Sequence, residues 1–154
     1  EKVVYTGDLL FIGIAPVMWA GPAQKWVAAL GDLIDRTGED WLFVPGHGPV
    51  TDLQGVRLVK SYFEYVDRAV TQMCSPTDTS KDLDCAYKVL EGLPEELRVS
   101  FDEPQRILIN AQVECLARRK GGSIQVELPT KVKLLAAQGE YAVREMLGLV
   151  KHAP

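Results

Sequence analysis

The chain has 154 residues and a formal net charge of -4, and 25% of its residues are charged. This length and composition are typical of one globular domain with a sizeable hydrophobic core. The net charge gives no basic footprint for nucleic acid, no apolar run approaches a membrane span, and no signal peptide is visible. Because the chain begins at Glu1 without a methionine, its location stays open between cytoplasm and periplasm.

The first elements are predicted to be two strands with a polar turn between them. Residues 2–6 and 9–13 are rich in Val, Leu, Ile and Phe, and Gly7 and Asp8 separate these two runs. A carboxylate between such runs must be paired, hydrogen-bonded or metal-bound if it is buried. A turn aspartate that caps its own backbone is the alternative interpretation.

An apolar loop and a helix are predicted next. In the loop at 14–21 we expect Met18 and Trp19 to pack onto the sheet, because large apolar side chains are usually buried. A substrate-pocket wall is the alternative. Pro22 suits the first turn of a helix, and Gly38 suits its C-terminal end. Apolar residues recur between them at helical spacing: Trp26, Ala29, Leu30, Leu33 and Ile34.

A strand and a histidine loop follow the predicted helix. Residues 41–45 form an apolar run that ends in Pro45, and Gly46 and Gly48 flank His47. The two glycines leave the backbone free and the imidazole uncrowded. A strand-helix-strand path predicts that Asp8 and His47 lie at neighbouring strand ends on one side of a sheet. Such a histidine suits a metal or a substrate, and a turn histidine without a function is the alternative.

These motifs together resemble the second half of a metallo-β-lactamase-fold hydrolase. The similarity lies in Gly7-Asp8 with the apolar run after it, in Trp26, and in the Val-Pro-Gly-His-Gly-Pro-Val segment at 44–50. It covers roughly residues 1–70. The Trp-Ala-Gly-Pro segment at 19–22 is similar to the cyclase-like or glyoxalase-like branch. The resemblance implies the C-terminal half of an αββα sandwich, an α/β fold of helix and sheet layers, followed by a mostly helical extension.

The resemblance also implies a zinc-dependent hydrolase. In that family the aspartate bridges two metal ions and the histidine binds one of them, roles that fall on Asp8 and His47. The implied reaction is attack of a metal-activated hydroxide on a small-molecule ester, thioester, lactone or lactam. The fold alone does not choose among these substrates.

One part of the family pattern is absent from this chain. The main metal motif, His-x-His-x-Asp-His, precedes the aspartate in the family, whereas this sequence has only His47 and His152. Catalytic zinc usually takes about three protein ligands and a water. We therefore expect the chain to be the C-terminal part of a longer enzyme, with zinc binding weak or absent and no strong activity alone. A non-catalytic, oligomerising module of a degenerate relative is the alternative.

The rest of the chain is predicted to be mostly helical. A one-faced apolar stripe from Val56 to Met73 predicts a helix that Asp52 or Thr51 could cap, and a polar linker at 74–80 follows it. Further helices are expected near 82–92, 102–121 and 131–150, with a short strand-like stretch at 124–128 and a disordered tail that contains His152. We therefore divide the chain into a metallo-β-lactamase-like half-domain at 1–75 and a helical extension at 76–154, which packs on it or mediates association.

The cysteines and a basic cluster favour ordinary structural roles. Cys74, Cys85 and Cys115 are odd in number and lack Cys-x-x-Cys spacing, which argues against a disulfide framework and a cysteine zinc site. We expect free thiols that are buried or incidental. The basic residues at 118–120 complement the dipole at a helix end, with a phosphate or nucleic-acid contact as the alternative. The partners expected are a second copy or a missing N-terminal half, because a half-fold exposes apolar faces.

Overall fold

The computed structural model describes residues 2–146, without the side chains at 128, 129, 132 and 142–146. The strands are β1 (Val3–Phe11), β2 (Ala20–Gly21), β3 (Leu42–His47) and β4 (Ile124–Gln125). The helices are α1 (Ala23–Arg36), α2 (Leu53–Met73), α3 (Asp82–Glu91), α4 (Glu95–Ser100), α5 (Ile107–Arg119) and α6 (Leu128–Met146). The prediction of a mixed α/β fold is confirmed. His152 lies outside the described residues, as does the end of the helix predicted at 131–150.

The strands form two small sheets. β1 and β3 pair in parallel, as expected for strands joined through a helix, and β2 pairs antiparallel with β4. The prediction of two separate N-terminal strands is wrong, because β1 is continuous through Gly7. Gly7 has a φ of +53°, and the register shifts on both sides of it. The Gly7-Asp8 pair, predicted to be a turn between two strands, is therefore a bulge within one strand.

The fourth strand and the last helix also differ from the prediction in extent. The strand expected at 124–128 is limited to β4, and Val126 then donates its N–H to the carbonyl of Trp19 at 2.8 Å. α6 begins at Leu128, earlier than predicted. Pro129 does not prevent this, since a proline in the first turn of a helix lacks only an N–H that would have no helical partner.

Both long helices near the first sheet follow the sequence pattern. α1 begins directly after Pro22. α2 begins after Asp52, whose carboxylate accepts from the N–H groups of Gln54 and Gly55 at 2.9 and 3.3 Å. The apolar stripe of α2 is buried from Val56 to Val70 and includes Tyr62, whereas Met73 at its end is exposed. α2 packs mainly on α1 and also contacts α3, α5 and, to a small extent, β1.

One hydrophobic core joins the two parts of the chain. Buried residues from 1–75, such as Phe43 and Val66, belong to the same cluster as Ile107 and Leu108 of α5. The helical extension thus packs directly on the first part. None of the helices among the described residues has the length and apolar character that a membrane crossing requires.

The prediction of free thiols is wrong for two of the three cysteines. Cys74 and Cys85 form a disulfide, with their Cα atoms 5.4 Å apart, and Cys115 is a buried free thiol. The spacing in sequence gave no sign of this pair. The pair forms because the end of α2 and the first turns of α3 are brought together by helix packing.

Candidate metal site and the adjoining cavity

The structure brings Asp8 and His47 together. In the parallel pair, Phe11 of β1 is the register partner of His47, the last residue of β3. Oδ1 of Asp8 lies 3.4 Å from Nε2 of His47. The side chains are 79% and 52% exposed, respectively. Asp8 lies within β1 rather than at its end, which differs from the prediction and follows from the bulge at Gly7.

Gly46 and Gly48 are required by close contact with β1. A Cβ on Gly46 would lie 2.4 Å from Oδ1 of Asp8 and 2.7 Å from the carbonyl carbon of Gly7. Gly48 has a φ of +92°, and a Cβ there would lie 1.9 Å from the carbonyl oxygen of Ile12. The sequence-based reason, an uncrowded imidazole, is therefore incomplete. The missing side chains make room for β1 and for the carboxylate of Asp8.

The imidazole of His47 is held by its neighbours on β1. Its ring stacks on Phe11, with centroids 4.5 Å apart and an interplanar angle of 15°. The carbonyl of His47 accepts a hydrogen bond from the N–H of Ile12 at 2.9 Å. The backbone and the ring are thus both fixed, while Nε2 remains directed at Asp8.

The separation of these two donors fits a shared metal ion. Two tetrahedral ligands at zinc bond lengths of about 2.0–2.1 Å are about 3.3–3.4 Å apart, which is the distance between the carboxylate oxygen and the imidazole nitrogen. Among the described residues, however, no group of three or more His, Cys, Asp or Glu side chains is placed to hold a metal. The pair therefore fits part of a coordination sphere, and further donors would be needed to complete it.

A cavity of about 440 Å³ opens beside the pair. Apart from Asp8 and His47, its lining is mainly apolar and aromatic, with polar side chains from the helical extension. The lining comprises Phe11, Val17, Trp19, Ala20, Trp26, Arg106, Leu135 and Gln138. Met18 of the loop at 14–21 is buried in the core, as expected, and Trp19 packs partly buried against the same core while it also lines the cavity.

Two buried polar side chains of α5 anchor the loop that walls the cavity and the start of α1 directly after it. The side-chain oxygen of Asn110 accepts the N–H of Met18 at 2.7 Å, and its Nδ2 donates to the carbonyl of Pro16 at 2.9 Å. Glu114 accepts the N–H of Ala23 at 2.6 Å. Because these groups are buried, each unmade hydrogen bond would be costly. We call Asn110 and Glu114 the α5 clasp.

Glu114 of the α5 clasp is also bonded to Arg118, one of the basic residues at 118–120. Nε of Arg118 donates to Glu114 at 2.7 Å, and a second guanidinium nitrogen bonds Asp67 of α2. Arg119 pairs with Asp82. These ion pairs explain both arginines more fully than the helix dipole does, and they leave the two side chains engaged within the fold.

Sequence reasoning missed the residues that the extension contributes to the cavity. Arg106, Leu135 and Gln138 lie far from the histidine loop in sequence, and no local motif marks them. Asn110 and Glu114 were missed as well, and their polar character among the apolar residues of α5 was the one available signal. A comparison with protein-family models and a comparison with curated proteins both give no match to this chain.

Proposed function

We propose that this chain carries part of the active site of a metal-dependent hydrolase and corresponds to the C-terminal half of a metallo-β-lactamase-like αββα sandwich with a helical extension. One observation carries the proposal: a carboxylate and an imidazole from different strands lie 3.4 Å apart beside a largely apolar cavity. The resemblance in the Gly7-Asp8 and 44–50 segments supports the same interpretation.

In this proposal Asp8 and His47 are metal ligands. When bound, a divalent cation such as zinc supplies a Lewis acid and lowers the pKa of a water molecule toward neutrality. The chain itself contributes the two donors, the close glycine contacts that place them, and the apolar cavity that excludes water from a bound substrate. The substrate class is an ester, thioester, lactone or lactam. The remaining donors would come from outside the described residues, so this chain alone should be inactive or nearly so.

A zinc titration followed by NMR of the histidine side chains tests the proposal. The chain has two histidines, so His152 serves as the internal reference for His47. We expect weak binding that shifts the signals of His47 and is lost in Asp8→Asn and His47→Gln, while the control His152→Gln retains it. Zinc binding that survives both site substitutions, or that depends on His152, would overturn the assignment. A tight site for two metals within this chain would contradict its incompleteness.

A specific surface favours association as a second candidate function. Tyr5 is 81% exposed, and its register partner is Val44, so the two lie on the same face of the β1/β3 sheet. Leu42, also exposed, is the register partner of Val3 and completes this apolar face, which lies opposite buried Phe43. Exposed apolar sheet faces often become interfaces.

We propose that a second copy of the chain covers this face. Size-exclusion chromatography with light scattering should then find a dimer that dissociates in Leu42→Lys. The control is Val99→Lys, which changes another exposed apolar residue, on α4. A wild-type monomer at high concentration, or equal effects of the two substitutions, would rule this interface out.

A further inference from the structure

The cavity beside Asp8 and His47 is lined by a positively charged side chain, Arg106, that has no part in the proposed metal binding. Arg106 belongs to a short 3-10 turn before α5, and its side chain is 21% exposed. Its Nε donates to Glu103 at 2.7 Å, and its Nη1 donates to the carbonyl of Ala15 at 3.2 Å. Among the groups that the structure describes, Nη2 has no hydrogen-bond partner. The guanidinium is therefore fixed in direction and keeps donor groups for a ligand in the cavity.

Two lysines add positive charge around the same space. Nζ of Lys131 lies 5.2 Å from the ring centroid of Trp19, which walls the cavity. Lys25 lines a shallow groove of about 330 Å³ together with Asp8 and Trp26, both of which also line the cavity. In the part of the chain that the structure describes, neither lysine is in an ion pair. The cations near the cavity thus outnumber the carboxylates of Asp8 and Glu103.

The aromatic walls are rigid. Trp26 donates its Nε1–H to the carbonyl of Ala20 at 2.9 Å and stacks on Phe63 of α2, with ring centroids 4.9 Å apart. Trp19 lies in the loop that the α5 clasp anchors. A flat apolar group can therefore lie against preformed indole surfaces, at low cost in side-chain ordering.

We propose that this cavity binds a substrate that carries both a carboxylate and a flat apolar group. Arg106 binds the carboxylate, and Trp19 and Trp26 hold the apolar group. The volume of about 440 Å³ is within the usual range for small-molecule sites. The single guanidinium of Arg106 can pair with one carboxylate. The negative charge of Asp8 would repel a ligand that carries two negative charges. The preference for a carboxylate is inferred from the residues of the cavity alone. The role of the ligand as a substrate rests on the proposed hydrolase function.

The proposal gives the helical extension a role in recognition. Arg106, Leu135 and Gln138 all belong to 76–154, whereas the two metal donors belong to 1–75. The preference for a carboxylate would then be set by the extension, whereas Trp19 and Trp26 of 1–75 hold the apolar group.

The test compares phenylacetate with its neutral analogue phenylacetamide in metal-free buffer containing a chelator. Tryptophan fluorescence reports binding through Trp19 and Trp26. We expect phenylacetate to bind about tenfold more tightly than phenylacetamide, since a charge-assisted hydrogen bond accounts for at least that factor. Equal affinities, or no binding of either compound, would overturn the proposal. Tighter binding of phenyl phosphate than of phenylacetate would overturn the assignment to a carboxylate.

Substitutions identify the residue responsible. Arg106→Gln should abolish the preference for the acid, Arg106→Lys should retain part of it, and Arg36→Gln, which removes an exposed arginine on α1, should leave it unchanged. Circular dichroism checks that each variant is folded. A preference that survives Arg106→Gln, or is lost equally in Arg106→Lys, would refute a charge-based role.

The outcomes separate this proposal from the proposed function. Asp8→Asn removes a metal donor but no part of the carboxylate contact. Loss of zinc binding with retained selectivity for phenylacetate in this variant supports both proposals. Wild-type protein that binds zinc through His47 without distinguishing the acid from the amide refutes the carboxylate site alone. Protein that distinguishes them but does not bind zinc refutes the metal site alone.

Discussion

Gly46→Ala is the sharpest test of how the donor pair is positioned. The new Cβ would lie 2.4 Å from Oδ1 of Asp8, 2.7 Å from the carbonyl carbon of Gly7 and 2.9 Å from the N atom of Asp8. Two of these three contacts are with backbone, which cannot rotate away as a side chain can. We therefore expect β1 and β3 to separate locally and the carboxylate of Asp8 to leave its place beside His47.

The expected change in the free energy of unfolding of Gly46→Ala follows from two opposing effects. Overpacking a close contact typically costs about 1–3 kcal/mol, and backbone contacts place this site near the upper end. Gly46 does not have a positive φ, so alanine is compatible with its conformation and recovers about 0.4–1 kcal/mol by restricting the unfolded chain. The net expectation is a loss of about 2 kcal/mol in the free energy of unfolding, together with loss of the zinc binding proposed at His47.

Urea unfolding followed by circular dichroism measures the first effect, and the zinc titration measures the second. Gly31→Ala, within α1, is the matched control. Its Cβ would meet only the Cε of Lys60 on α2, at an ordinary contact distance of 3.8 Å. It should raise stability by up to about 1 kcal/mol, as glycine is a poor helix former. If Gly46→Ala unfolds at the wild-type urea midpoint and binds zinc as the wild type does, the steric reasoning is refuted.

Three further predictions concern the remaining buried groups. Burial raises the pKa of the Cys115 thiol from 9.0 to about 11, so the folded state holds this proton more tightly than the unfolded chain does. Stability should therefore fall between about pH 9 and pH 11, by about 1.4 kcal/mol per pH unit, and urea midpoints should show a weaker fall in Cys115→Ala. Reducing the disulfide of Cys85 should lower the free energy of unfolding by about 2–4 kcal/mol, measured by urea unfolding with and without dithiothreitol; no change would mean that the bridge is absent in solution. Asn110→Leu leaves the buried N–H of Met18 unpaired and should cost about 1–3 kcal/mol in the same assay, whereas an unchanged midpoint would contradict the clasp.

The local features of this fold could be predicted from the sequence. α1 and α2 follow from apolar periodicity, and the cap at Asp52 follows from residue type. The proximity of Asp8 and His47 was predictable because a strand-helix-strand path constrains where two strands can lie. Each of these inferences depends on neighbours along the chain or on one short connection.

Features that depend on distant contacts could not be predicted. The disulfide requires that the end of α2 meet α3, and Arg106 reaches the cavity because the backbone of Asp102 bonds Gly13 and Ala15. No periodicity or motif encodes such contacts. The bulge at Gly7 was misinterpreted for a related reason, since a Gly-Asp pair marks a turn unless a neighbouring strand continues the pairing on both sides.

The donors and the cavity are positioned by separate sets of contacts. Asp8 and His47 depend on the β1/β3 register, the stacking of Phe11 and the absence of a Cβ at Gly46, all within 1–75. The cavity wall instead depends on α5, whose clasp holds the backbone of the loop through Asn110 and the start of α1 through Glu114. Because backbone N–H and carbonyl groups are present whatever side chains the loop carries, the loop can change its residues without losing its anchor. The shape of the cavity can therefore vary while Asp8 and His47 stay fixed. If the pair binds a metal as proposed, this arrangement would let one scaffold serve different substrates.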